Sequence, residues 1–142
     1  MGKGKWNKYL HFAHENLRSQ IIYKEPVPDI EKYYSAADIF ALPSIYEPFG
    51  NANLEALASG LPVITTRHCG AADIIRHGQN GLIVETPESS EEVAENINSL
   101  FDPTVRKTMG QNGRTLAEQF SVKINTRKMV EVYQKIISTH VK

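Results

Sequence analysis

Apolar residues recur with two different periods along this chain, and the switches between them mark out its elements. Trp6, Leu10, Ala13 and Leu17 follow one another at spacings of four, three and four, which places them on one face of a predicted amphipathic helix over Trp6–Leu17. Ile21–Tyr23 reads as a short strand. Pro26 and Pro28 then interrupt the pattern, and Asp29 can cap a helix over Ile30–Ala37. Ile39-Phe40-Ala41-Leu42 is a continuous apolar run between Asp38 and Pro43, which predicts a parallel strand buried on both faces.

The segment Ser44–Gly50 supplies a loop, Asn51–Ser59 a helix, and Gly60 its stop. Pro62–Thr66 is a second buried strand. Arg67–Gly70 makes another loop, Ala71–Arg76 a short helix, and Gly78–Gly81 a turn before the strand Leu82–Val84. Strands alternating with helices through short connections imply right-handed crossovers. The expected fold is therefore α/β, a doubly wound parallel sheet of Rossmann-like type. It forms a single three-layer domain with a helical C-terminus. That last part comprises a helix over Glu91–Leu100 capped by Ser90, a helix over Thr104–Phe120, and a final helix capped by Ser121. Val122, Thr126, Met129, Val130, Tyr133, Ile136 and Ile137 form its apolar stripe.

Composition narrows the function classes. A chain of 142 residues suits one domain, and no apolar run approaches the roughly 20 residues of a membrane span. Sixteen basic residues balance sixteen acidic ones, so no overall field favours nucleic acid, and an anion must bind at a local site. The single cysteine, Cys69, has no internal disulfide partner, which fits a reducing, cytoplasmic setting. His11 and His14 share a helical face but have no third ligand nearby in sequence, and no metal or cofactor is called for.

In a parallel sheet the loops after Leu42 and Thr66 emerge at the same edge, the edge ligands favour. Each loop places a glycine, Gly50 or Gly70, beside a helix start, where unpaired amides and the helix dipole attract phosphate. Seven residues separate Glu47 in the first loop from Glu55 on the following helix. Glu55 lies about one turn, ~5–6 Å, beyond Asn51. A carboxylate there can accept hydrogen bonds from a ribose diol, and Glu47 can do the same for a sugar. The bland readings are that the glycines only make turns and that both glutamates are solvated.

The surrounding residues favour the sharper reading. Tyr46-Glu47-Pro48-Phe49-Gly50-Asn51-Ala52-Asn53-Leu54-Glu55-Ala56 resembles the paired-glutamate signature of retaining group 1 glycosyltransferases, enzymes with two Rossmann-like domains (the GT-B fold). Tyr34–Asp38, Leu42–Ser44, Ala58–Ile64 and Asn80–Val84 match that family in the same order.

The resemblance implies that residues 1–142 are the family's C-terminal nucleotide-sugar-binding domain, truncated at its N-terminal edge. Gly2-Lys3-Gly4 would correspond to a loop after an early strand, so the N-terminal acceptor-binding domain would be missing, with the Arg and Lys that neutralise the donor diphosphate. By the same resemblance Glu55 binds the ribose hydroxyls and Glu47, the catalytic-site candidate, binds the donor sugar. The amides of Phe49, Gly50 and Asn51 reach the sugar, and those of Ala52, Asn53 and Leu54 the phosphates.

Arg67 and Gly70 are candidate phosphate contacts, with a solvated loop arginine as the alternative at Arg67. The expected substrate is a nucleotide-diphosphate sugar, UDP-sugar favoured, and the segment Thr66–Ala72 resembles lipopolysaccharide-core glucosyltransferases. Cys69-Gly70 departs from the family's Gly-Gly, Asp73 from its glutamate, and Lys24-Glu25-Pro26 from its usual glycine. Such a fragment would be inactive alone, in a full-length enzyme peripheral to the membrane, and able to self-associate through its last helix. The alternative classes are a non-catalytic nucleotide-binding or interaction module and a sugar-nucleotide epimerase of related architecture, whose expected catalytic acids are not evident.

Overall fold

The computed structural model describes residues 6–140, and Gly2-Lys3-Gly4 lies outside the described residues. The chain divides into two compact units, Met1–Ile30 and Glu31–Lys142. In the first, the single helix expected over Trp6–Leu17 is replaced by two 3₁₀ helices, Trp6–Phe12 and Glu15–Gln20. Short amphipathic helices depend on burying their apolar face, yet Phe12 is 78% and Leu17 47% exposed. His14 breaks the run with ψ 143°, and its Nδ1 lies 2.7 Å from Asn16 Oδ1, a local bond that competes with the helix. The strand expected at Ile21–Tyr23 is absent: Ile21 is extended, but these residues pair with no strand among those described, and an extended segment without a ladder is not a sheet.

The second unit carries the predicted architecture. Its elements are α1 (Ile30–Ala36), β1 (Phe40–Leu42), α2 (Asn51–Ala58), β2 (Val63–Thr66), β3 (Leu82–Val84), α3 (Ser90–Ser99), α4 (Pro103–Ala117) and α5 (Val122–His140). The strands form a parallel sheet in the order β1-β2-β3, with Ala41 opposite Ile64 and Thr65 opposite Ile83. Helices lie on both sides, giving the expected Rossmann-like α/β form. All of β2 and β3 is buried. Ile64, Leu82, Val84, Leu100 and Met109 make a core cluster against which Ile39, Val93 and Ile97 pack. No helix among the described residues is long and apolar enough to cross a membrane.

Several boundaries differ from those read in sequence, each for a local reason. β1 is not buried on both faces, since it is an edge strand and Ala41 is exposed. Ser89, rather than Ser90, caps α3 by accepting the Glu92 amide at 3.3 Å. The helix expected over Ala71–Arg76 is only a 3₁₀ turn at Gly70–Asp73, because Asn80 Oδ1 captures the Arg76 amide at 2.7 Å and draws the chain into the next turn. α4 starts at Pro103 after its Asp102 cap and closes in a 3₁₀ turn, Glu118–Phe120. On α5, Met129, Val130, Tyr133, Ile136 and Ile137 remain exposed.

The loops that follow β1 and β2 are bonded edge to edge. The Gly70 amide donates to the Glu47 carbonyl at 3.0 Å, the Ala71 amide to the Phe49 carbonyl at 2.9 Å, and the Glu47 amide to the His68 carbonyl at 3.4 Å. Buried hydroxyls lock the same region: Thr65 Oγ1 donates to the Leu42 carbonyl at 3.3 Å and Thr66 Oγ1 to the Ser44 carbonyl at 2.6 Å. The approach is so close that a Cβ on residue 70 would stand 2.1 Å from the Pro48 carbonyl oxygen.

Two predictions follow from these contacts. Gly70→Ala must force the loops apart and should cost about 1–3 kcal/mol; an unchanged urea midpoint would show that the approach is not held. The second concerns Tyr34, a buried residue whose hydroxyl donates to Glu55 Oε2 at 3.1 Å. Burial first, then this hydrogen bond and the Glu55 charge, push its pKa up to about 12. Because the folded chain holds the proton more tightly than an unfolded tyrosine of pKa about 10, this stabilisation is complete below pH ~10 and is lost as pH rises towards ~12. Thermal melting across that window should fall less steeply in Tyr34→Phe than in the parent chain, and parallel curves would overturn the assignment.

Candidate functional site

The N-terminus of α2 is built without a side-chain cap. Gly50 stands at the cap position with φ 76°, a conformation glycine adopts without strain. A Cβ there would also meet Asn53 Nδ2 at 2.7 Å. The Asn53 amide donates to the Gly50 carbonyl at 2.8 Å. Among the described residues, the amides of Phe49, Gly50, Asn51 and Ala52 have no acceptor. Unpaired donors at a helix start are a natural seat for an anion.

Asn53 sits beneath this turn rather than on its open side. It is fully buried, and its Nδ2 lies 3.2 Å from Cys69 Sγ and 3.5 Å from Thr65 Oγ1. Cys69 Sγ in turn donates to the Phe49 carbonyl at 3.3 Å. The thiol is thus a structural link between the loops, and sequence adjacency to His68 gives it no catalytic partner. Asn53 Oδ1 is buried with no partner.

A cavity of about 560 Å³ opens beside α2, lined by Phe49, Asn51, Leu54 and Glu55 and by Phe120, Asn125 and Lys128 among others. Asn51, Leu54 and Glu55 recur at helical spacing, so they share the lining face. Glu55 gives one lone pair to Tyr34, and an ionised carboxylate has about four acceptor positions, leaving capacity for a diol. Lys128 brings a cation from α5 that sequence reasoning missed; its one signal was the three-residue spacing from Asn125 on the same helix. No salt bridge holds it among the described residues.

Not every candidate enters this cavity. Glu47, Gly50, Ala52, Asn53, Arg67 and Gly70 are not among its lining residues. Glu47 is half-buried with its backbone fixed at both ends, while its carboxylate has no partner among the described residues. The Gly70 amide is already given to Glu47. Arg67 forms a two-point ion pair with Glu85, its Nε 2.7 Å from Oε2; that hydrogen bond raises the Arg67 pKa and lowers that of Glu85. The pair makes Arg67 an exposed loop residue with a neutralised charge. Among the described residues no group of His, Cys, Asp or Glu could hold a metal ion, and His11 and His14 are both exposed in the first unit.

Comparison with known proteins identifies the family. The family model for glycosyl transferases group 1 matches residues 1–116. The capsular polysaccharide biosynthesis glycosyltransferase CapM of Staphylococcus aureus is 34% identical over 119 residues, covering 82% of this chain and 31% of CapM. Among solved structures, HepE of Anabaena in complex with UDP-glucose superposes with a TM-score of 0.82 at 28% identity, covering 95% of this chain and 38% of HepE. WaaG, a glycosyltransferase involved in lipopolysaccharide biosynthesis, gives 0.72 at 30% identity, covering 80% and 31% of the two chains. The chain spans about a third of the length of these relatives. It belongs to the group 1 glycosyltransferase family.

Proposed function

We propose that this chain is the donor-binding half of a retaining glycosyltransferase that takes its sugar from a nucleotide diphosphate, with UDP-sugar the favoured donor. The observation that carries the reading is the juxtaposition at α2: unpaired amides at its start and the Glu55 carboxylate one turn on, beside one cavity that also receives Lys128. In this reading Glu55 accepts the ribose hydroxyls, while the amides of Phe49, Gly50, Asn51 and Ala52 and the Lys128 ammonium face the diphosphate and sugar. Glu47, with its fixed backbone and unpaired carboxylate, positions the donor sugar. The bound UDP-glucose of HepE supports UDP as the nucleotide. CapM and WaaG support a surface polysaccharide or lipopolysaccharide as the product.

Transfer requires the bond between the anomeric carbon and the phosphate to break through an oxocarbenium-like transition state. Negative charge then grows on the leaving diphosphate, where fixed amides lower the barrier by ~2.7–4 kcal/mol per donor in comparable sites. Donor binding alone is a weaker matter. Two or three charge-assisted hydrogen bonds give about 3–9 kcal/mol, much of which the ~4–15 kcal/mol cost of association offsets. A second, acceptor-binding domain is the proposed partner, supported by the share of the relatives this chain spans and by the exposed apolar face of α5. Self-association through that face is the competing use of the same surface.

Calorimetric titration of UDP-glucose, GDP and ADP tests the donor assignment. Glu55→Ala should weaken UDP-glucose binding about 10-fold or more and Lys128→Ala about 2- to 5-fold at low salt, whereas Glu95→Ala on α3 should leave it unchanged. Equal affinities for all four proteins would sink the site. A separate assay, with UDP-glucose and a glycan acceptor, should give no transfer by this chain alone, and measurable turnover would overturn the half-enzyme reading.

A further inference from the structure

A second cavity, of about 520 Å³, lies on the other side of Gln119 and Phe120, residues that line both cavities. Its remaining walls come from the segment after β2 and from α4. The polar groups there are those of neutral carbohydrate recognition. Asn80 is buried to within 8% of its surface, and its Oδ1 is taken by the Arg76 amide, yet its Nδ2 has no acceptor among the described residues. Asn112 uses its Nδ2 on the Gln79 carbonyl at 2.9 Å, which fixes the amide plane and leaves Oδ1 open. The side chains of Asp73, Arg76 and Gln119 have no hydrogen-bond or ion-pair partner among the described residues.

This set supplies donors and acceptors in nearly equal measure around the apolar ring of Phe120. Its one carboxylate and one guanidinium give the lining no net charge, so what a phosphate gains from Arg76 is offset by repulsion from Asp73. A polyol whose hydroxyls each donate and accept, with an apolar ring face, matches both properties. The volume falls within the ~300–1,000 Å³ usual for small-molecule sites. We propose that this cavity is a separate binding site for an uncharged pyranose ring of a glycan. The assignment rests on the chemistry of this cavity and stands whether or not the neighbouring one takes a nucleotide.

The test is a titration of the ¹⁵N-labelled chain, followed by NMR, with methyl α-D-glucopyranoside, methyl β-D-galactopyranoside and, separately, sodium phosphate and UDP. At least one glycoside should produce saturable millimolar shifts at the amides of residues 73–80 and at the Asn112 side chain. Asp73→Ala, which removes no hydrogen bond or ion pair among the described residues, should weaken that binding about 10-fold. UDP should shift the start of α2 instead. Absence of saturable glycoside shifts, tighter binding of phosphate to the same resonances, or an affinity unchanged in Asp73→Ala would each overturn the proposal. UDP binding without glycoside binding would defeat this site alone, and the reverse would defeat the donor assignment alone.

Discussion

The close bonding of the β1 and β2 loops is the constraint from which the rest of the site follows. At an ordinary helix start the first four amides lack intrahelical acceptors, and a capping side chain or water meets them. Here the carbonyl of Glu47, four residues before Asn51, already accepts from Gly70. The carbonyl of Pro48 lies against Gly70 so closely that no side chain fits between, and Gly50 offers no side chain as a cap. The donors at the head of α2 therefore have no acceptor among the described residues, and the packing of the loops keeps them fixed. Leaving them unpaired against solvent costs little, whereas an anion that meets them finds hydrogen bonds already oriented.

The same constraint explains why a buried polar cluster lies directly under the turn. Asn53, Thr65 and Cys69 come from α2, β2 and the loop between β2 and the 3₁₀ turn, and each satisfies part of another. A fully apolar replacement would fill the space but would lose the Cys69 Sγ bond to the Phe49 carbonyl, leaving the Ala71 amide alone to hold it. The orphaned Asn53 Oδ1 is the cost of that arrangement, since a buried acceptor without a partner is unfavourable.

Much of this was legible in the residues, because the signals were local. The Val63–Thr66 and Leu82–Val84 runs are apolar or β-branched enough to be buried strands, and Gly60 stops α2 where a glycine should, with φ 80°. Gly50, between the two glutamates, stands where read, at the start of α2. What failed depended on partners that a local pattern does not reveal. Trp6–Leu17 has helical spacing but folds as two 3₁₀ helices with Leu17 exposed, and Ile39–Leu42 has the composition of a central strand but lies at a sheet edge. Lys128 could not be assigned to the cavity from α2 outwards, because it arrives from a helix near the other end of the chain. Arg67 drew attention by position, yet Glu85, at the end of β3, claims its charge.

Electrostatics then decides how the two glutamates differ. Glu55 is held by Tyr34, whose proton is bound more firmly first because the ring is buried and then because its hydroxyl donates to this carboxylate. This hydrogen bond orients the carboxylate without exhausting it: one of about four lone-pair positions is occupied. Glu47 has the opposite construction, a backbone clamped through both its amide and its carbonyl and a carboxylate with no hydrogen-bond or ion-pair partner among the described residues. A group oriented through its side chain suits a ligand feature of fixed geometry such as a vicinal diol. One anchored through its backbone leaves the whole carboxylate available, which is the feature behind the sugar-positioning part proposed for Glu47. The division of roles proposed for the two carboxylates thus rests on where each is held, since their chemistry is the same.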